Sequence, residues 1–151
     1  MMEQTRRITV PEAREILERD PRAIYLDVRT EEEFADGHPA RALNIPVGLA
    51  HPATQSLEPN ADFSRVAAAV LPRETPILVG CRTGPRAEVA AQMLAAEGFA
   101  DVRVVYGGYV GMTGPGGTRM AVGWIHTDYP ITREAAPGAL YQDLKKKAGV
   151  A

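Results

Sequence analysis

PILVGCRTGPRAEVAAQML, residues 76–94, decides the fold and locates the chemistry. The stretch opens with a near-continuous apolar run, Ile77–Gly80, as expected of a parallel strand covered on both faces. A tight loop follows at once: Cys81, Arg82, Thr83, Gly84. Pro85 suits the first turn of a helix. The helix face includes Val89, Ala90, Met93 and Leu94, and Gly98 is a natural C-terminal stop. A strand, a tight loop and a helix in immediate succession predict an α/β domain. In such sheets, ligands collect beyond the carboxyl ends of the strands.

The alternation extends outward over residues 5–112. Further strands are predicted at Ile8, 23–28 and 102–105, giving a mostly parallel sheet. Thr9 with Glu12, and Thr30 with Glu33, fit the capping box that starts a helix. After Thr9, apolar Val10, Ala13, Ile16 and Leu17 share one face. Asp62 is expected to cap a helix carrying Phe63, Val66, Ala67, Val70 and Leu71, ended near Pro72. Residues 113–137 read as an irregular excursion returning through Trp124 and Ile125 to 129–131. A short helix is expected over 140–147, its lysines suiting a C-terminus, either docked or loose.

At 151 residues the chain is one domain's worth. Net charge is −2, so no nucleic-acid or polybasic membrane partner is indicated. The opening MMEQTRRITVPE has no apolar core of a signal peptide, and no run approaches a membrane helix. Cys81 is the one cysteine, which excludes an internal disulfide, a cysteine zinc cluster, an iron–sulfur site and a CxxC pair. A reducing, cytoplasmic setting is expected.

The loop after Cys81 wraps into a helix start, which presents several backbone amides in one direction. Such a nest favours an anion. Here that anion would be the Cys81 thiolate or a persulfide on it. A lone cysteine at the end of an apolar run is also commonly an inert buried thiol. Two features weigh against that reading. Arg86 stands in the first turn of a helix, where the dipole disfavours a cation, so an anionic partner is expected. The loop also has no large apolar residue. The residues alone leave both readings open.

CRTGPRA, residues 81–87, resembles the active-site loop of rhodanese-like sulfurtransferases, with their Cys-Arg-x-Gly-x-Arg pattern. Ile24-Tyr25-Leu26-Asp27-Val28-Arg29 resembles the family's Leu-Asp-Val-Arg strand. Glu33-Phe34-Ala35-Asp36-Gly37-His38 resembles its Glu-(Tyr/Phe)-x-x-Gly-His segment. Ala42-Leu43-Asn44-Ile45-Pro46 and Val104-Val105-Tyr106-Gly107-Gly108 match in order and spacing. Departures lie outside the loop. Pro39-Ala40-Arg41 replaces Ile-Pro-Gly, Met112 replaces a tryptophan, and 113–127 is a longer connection whose Trp124 is expected to refill that space.

The resemblance implies a three-layer α/β/α rhodanese-like domain over 5–131, with 132–151 as a tail carrying the short helix. It implies a two-step sulfur relay through Cys81, without metal or organic cofactor. A small donor such as thiosulfate or a persulfide loads Cys81, and a thiol, cyanide or a sulfur-accepting protein unloads it. The loop residues Arg82, Thr83, Gly84, Pro85 and Arg86 would hold the donor and the persulfide. Arg82 would face outward to the anionic donor, and Arg86 would orient the loop from inside. Asp27 and Arg29 would brace the loop through ion pairs.

Other residues read as structural. His38 is a turn residue, and His51 and His126 have no metal-ligand spacing. Gly114-Pro115-Gly116-Gly117 lacks the Lys-Ser/Thr of a phosphate loop. Gly107-Gly108 serves the backbone, and Lys145 to Lys147 form a solvated helix end. Two other functions compete. A Cys-x5-Arg phosphatase or arsenate reductase uses similar physics, but only four residues separate Cys81 and Arg86. A non-catalytic or sulfur-carrier module would share the fold.

Overall fold

The computed structural model describes residues 5–150. Residues 1–4, part of the leader reading, and residue 151 of the tail lie outside the described residues.

In chain order the elements are β1 (Thr5–Thr9), α1 (Val10–Arg19), β2 (Ile24–Asp27), α2 (Glu31–Asp36), β3 (His38–Pro39) and β4 (Leu43–Asn44). Then come β5 (Gly48–Ala50), β6 (Leu57–Pro59), α3 (Phe63–Val70), β7 (Ile77–Gly80), α4 (Pro85–Ala96) and β8 (Val102–Tyr106). The chain ends with β9 (Met112–Thr113), β10 (Arg119–Ala121), β11 (Ile131–Thr132) and α5 (Tyr141–Ala148). The central sheet runs β1-β8-β7-β2-β4, and every neighbouring pair is parallel. This is the expected α/β architecture.

Each strand side chain alternates between the two faces. On one face, Leu26, Val28, Ile77 and Val79 pack with Phe63 and Val66 of α3, Ala90 and Leu94 of α4, and Tyr141 and Leu144 of α5. On the other, Tyr25, Leu78 and Val105 pack with Val10, Ala13 and Leu17 of α1 and Phe34 of α2. The result is three layers. Burying a side chain such as Leu94 or Phe34 completely stabilises the fold by about 1.5–3 kcal/mol each.

Both capping boxes form. The Glu12 amide donates to Thr9 Oγ1 at 3.2 Å while the Thr9 amide donates to Glu12 Oε1 at 2.8 Å. Thr30 and Glu33 repeat the pattern at the start of α2. The helix over 63–70 is present with Asp62 at its N-cap position, but the Asp62 side chain makes no capping hydrogen bond. Asn60 organises that turn instead: its Oδ1 accepts from the Asp62 amide at 3.0 Å and its carbonyl from the Phe63 amide at 3.1 Å. In α4 the core face is Ala87, Ala90, Ala91 and Leu94. Val89, expected on that face, is 54% exposed. Small alanines let α4 lie close to the sheet, which rotates Val89 and its i+4 neighbour Met93 onto a flank.

Residues 113–137 are more ordered than their composition suggests. β9 and β10 form a small antiparallel ribbon, and β11 pairs antiparallel with β3. Trp124 is fully buried, with its indole N–H donating to the Tyr25 hydroxyl at 2.9 Å. The C-terminal helix is docked. Tyr141 and Leu144 join the core beside α3, and the Tyr141 hydroxyl accepts from Asn60 Nδ2 at 2.9 Å.

Candidate active site

Cys81 stands directly after β7, at the carboxyl end of the sheet. It lies two residues beyond Val79 and so shares its face, packed in the cluster with Val47 and Ala87. The thiol is free and only 2% exposed. The preceding residue must be small, since a Cβ on Gly80 would overlap the Tyr25 hydroxyl.

The loop is oriented by its carbonyls. Those of Cys81, Arg82 and Thr83 accept from the amides of Tyr109 (2.9 Å), Val110 (3.0 Å) and Gly107 (3.0 Å). Gly108 makes this possible: its φ is +55°, and a Cβ there would overlap the Cys81 carbonyl oxygen. With three carbonyls spent on one side, the amides of Arg82, Thr83 and Gly84 donate to no acceptor among the described residues. The Arg86 and Ala87 amides belong to the first turn of α4, which lacks intrahelical acceptors. Unpaired amides and a helix N-terminus in one loop suit an anion on Cys81.

The anionic partner of Arg86 is Glu33. Nη1 donates to Oε1 at 2.7 Å and Nη2 to Oε2 at 3.0 Å. Burial pushes the Glu33 carboxyl up, but hydrogen bonds from Arg86 and the Thr30 amide outweigh it and hold it at about 2. The hydrogen bonds to Glu33 likewise raise Arg86.

Asp27 and Arg29 form a second two-point pair, with Arg29 Nη2 to Asp27 Oδ2 at 2.6 Å and Nε to Oδ1 at 2.9 Å. Both are buried. Arg29 also donates to the Gly37 carbonyl at 2.7 Å and lies 4.3 Å over the Tyr109 ring. Tyr109 holds the Cys81 carbonyl through its own amide. The pair reaches the loop through Tyr109, and the Asp27 carboxylate also acts on Arg86 electrostatically. Asn44 Nδ2 donates to the carbonyls of Asp27 and Arg29, at 3.0 Å each.

The structure thus brings Cys81 to Arg86 together as one loop and sets Asp27 and Arg29 behind it. Arg82 is exposed and has no carboxylate partner among the described residues. Thr83 is half-buried, Gly84 buried and Pro85 exposed. His38 is a buried turn residue, its Nδ1 2.7 Å from the Phe34 carbonyl and its ring stacked on Phe34. His126 Nδ1 accepts from the Gly123 amide, and His51 lies 3.6 Å from Glu58. Sequence reasoning missed Glu33 and Tyr109 as parts of the site. Glu33 was legible as a cap, but its partner is 53 residues away. Tyr109 contributes its backbone and ring face, which no motif marks.

A single thiol at the carboxyl end of a parallel strand, followed by a loop running into a helix, in a three-layer fold, defines a class of α/β domains with a cysteine at the end of a central strand. The model of the Rhodanese-like domain matches residues 9–114. The chain belongs to the rhodanese-like domain family. It is 37% identical over 118 residues to thiosulfate sulfurtransferase 18 of Arabidopsis thaliana, covering 76% of each chain. It is 35% identical over 104 residues to the human thiosulfate:glutathione sulfurtransferase, covering 68% of this chain and 88% of that one. The chain spans about half the length of some other curated relatives it matches. Among solved structures, that of Rv0390 from M. tuberculosis is similar, with a TM-score of 0.68 at 26% identity, covering 85% of this chain and 97% of that one.

Proposed function

We propose that the protein is a sulfurtransferase that carries a sulfane sulfur on Cys81. The observation that carries this reading is the orientation of the loop, whose carbonyls face Gly107, Tyr109 and Val110 and whose amides are left for an anion beside Cys81. In the first step the Cys81 thiolate attacks the outer sulfur of thiosulfate. The S–S bond of the donor breaks, sulfite leaves with the electron pair, and Cys81 holds a persulfide anion. In the second step a thiolate or cyanide attacks the terminal sulfur, and the electron pair of the broken bond returns to Cys81. Covalent storage splits one hard transfer into two easier ones. Arg82, exposed at the loop, attracts the dianionic donor. No metal or organic cofactor enters either step. The free thiol favours a reducing compartment, with the cytoplasm as the expected one.

The Arg86 geometry disfavours a phosphatase. In that chemistry an arginine fork grips the phosphate, whereas both terminal nitrogens of Arg86 are taken by Glu33.

Intact mass after thiosulfate treatment tests the reading. The protein should gain about one sulfur atom, reversed by cyanide or a thiol and absent in Cys81→Ser. An unchanged mass overturns the proposal, as does aryl phosphate turnover abolished in Cys81→Ser.

A further inference from the structure

Two depressions flank the loop, and their chemistry differs. One, of about 480 Å³, is lined by Arg82 and Thr83 with residues of the turn and strand that follow β8, Val110 to Thr113. It presents the guanidinium of Arg82, which has no ion-pair partner among the described residues. The other, of about 330 Å³, lies between the β5–β6 ribbon and the flank of α4. Val47, Leu57, Pro59, Val89 and Met93 form its wall, and it meets the loop at Pro85 and Arg86. Leu57 and Val89 are 48% and 54% exposed there.

Of the polar side chains lining this groove, Arg86 and Asn60 are hydrogen-bonded elsewhere and Glu58 is an exposed carboxylate at its edge. Arg86 grips Glu33, Glu58 lies beside His51, and Asn60 Nδ2 donates to the Pro46 carbonyl and the Tyr141 hydroxyl. The groove therefore offers apolar contact and no unpaired cation. Cys81 points to the same side of the sheet, in one cluster with Val47, which also lines the groove. Cys81 itself is buried. A persulfide carries its outer sulfur about 2 Å beyond Sγ, and on this proposal that atom is the one an acceptor in the groove attacks.

Thiosulfate and cyanide have no apolar surface to bury, so neither gains from such a wall. A cavity of this size suits a small organic molecule. Resting on the sulfurtransferase reading, we infer that the groove of Val47, Leu57, Pro59, Val89 and Met93 holds the body of a small organic thiol, apolar and uncharged, that accepts sulfur from Cys81. The anionic donor approaches at the separate depression that Arg82 lines. The acceptor loses its proton to solvent, and its thiolate attacks the terminal sulfur. The bond between that sulfur and Cys81 breaks, and the electron pair stays on Cys81. The product is the acceptor's persulfide, with no external oxidant or reductant.

The test measures sulfite release by the full chain from thiosulfate with three acceptors: cyanide, 2-mercaptoethanol and phenylmethanethiol. The two thiols have similar acidity and differ in apolar body. The KM for phenylmethanethiol should lie about tenfold below that for 2-mercaptoethanol, the scale of discrimination an apolar pocket gives. Val89→Glu, on the exposed flank of α4, should raise the phenylmethanethiol KM about tenfold and shift the 2-mercaptoethanol KM far less. Val89→Ser should move it the same way by a smaller factor. Cyanide turnover with equal KM for both thiols, or with both raised equally by Val89→Glu, overturns this inference and leaves the sulfurtransferase reading standing. No sulfite release with any acceptor overturns both.

Discussion

Arg86 and Glu33 meet as a two-point ion pair, with nitrogen–oxygen distances of 2.7 and 3.0 Å, joining the first turn of α4 to that of α2. The same carboxylate accepts from the Thr30 amide at 3.1 Å and so caps α2. A cation in the first turn of a helix is opposed by the dipole, whereas an anion there is favoured. Glu33 sits well in its own helix and offsets the misplacement of Arg86 in the other. Glu33→Gln keeps the shape and removes the charge. It should lower stability by about 1–2 kcal/mol, or roughly 2–8 °C in Tm for a chain of this size. Thermal melting checks this, and an unchanged Tm would remove the pair from the account of the loop.

The pair also predicts an acid limb. Glu33 titrates at about 2 in the folded state against an ordinary value of 4.5. A lowered folded-state value means that the unfolded chain binds the proton more readily. The stabilisation is therefore complete above about pH 5 and is lost as pH falls towards 2. Its size is of the order of 1–2 kcal/mol after screening at this half-buried side chain. Denaturation midpoints from pH 7 to 3 should fall more steeply in the native protein than in Glu33→Gln.

Gly108→Ala should damage the site more than the fold elsewhere would suggest. The left-handed φ of +55° alone costs about 1–2 kcal/mol for a residue with a Cβ. The added atom also overlaps the Cys81 carbonyl, so the loop must move. Gly116→Ala is the control, with φ +73° and open space around the new atom. Persulfide formation should fall at least tenfold in Gly108→Ala and persist in Gly116→Ala. Equal behaviour of the two would separate the 107–110 turn from catalysis.

Asp27→Asn leaves the buried Arg29 guanidinium facing a neutral amide. Breaking a buried ion pair on one side costs about 3–5 kcal/mol. A shift of this size should appear in the urea midpoint, and its absence would show that the Gly37 carbonyl and Tyr109 ring suffice to hold Arg29.

Arg82→Ala should raise the KM for thiosulfate several-fold with Tm unchanged, since Arg82 is exposed and makes no ion pair among the described residues. The native KM should rise with salt and the variant's much less, as screening of an exposed charge requires. A KM indifferent to both would take Arg82 out of donor capture.

Much of this was legible in the chain as written. Short apolar runs, capping boxes and a proline at a helix start are local signals, so β2, β7, β8, α1, α2 and α4 stand where the residues place them. Cys81 and its loop were equally legible, because strand, loop and helix are contiguous. The failures share a cause. Val89 was assigned inward by helical spacing, yet which arc of α4 faces the sheet depends on the small alanines opposite the strands. Residues 113–137 looked irregular because strands of two or three residues carry no period, and β11 forms only against β3.

Local chemistry wrote the parallel sheet, the helix starts and the strand–loop–helix setting of Cys81 into the residues, because each depends on neighbours a few positions away. Folding in three dimensions chose the partners. Glu33 reached Arg86 across 53 positions, and Tyr109 came between the Asp27–Arg29 pair and the Cys81 carbonyl. It also set the Arg82 depression and the apolar groove against different residues of one loop. Ion pairs and grooves between distant segments exist only once the core has fixed those segments side by side, and no local pattern encodes that distance.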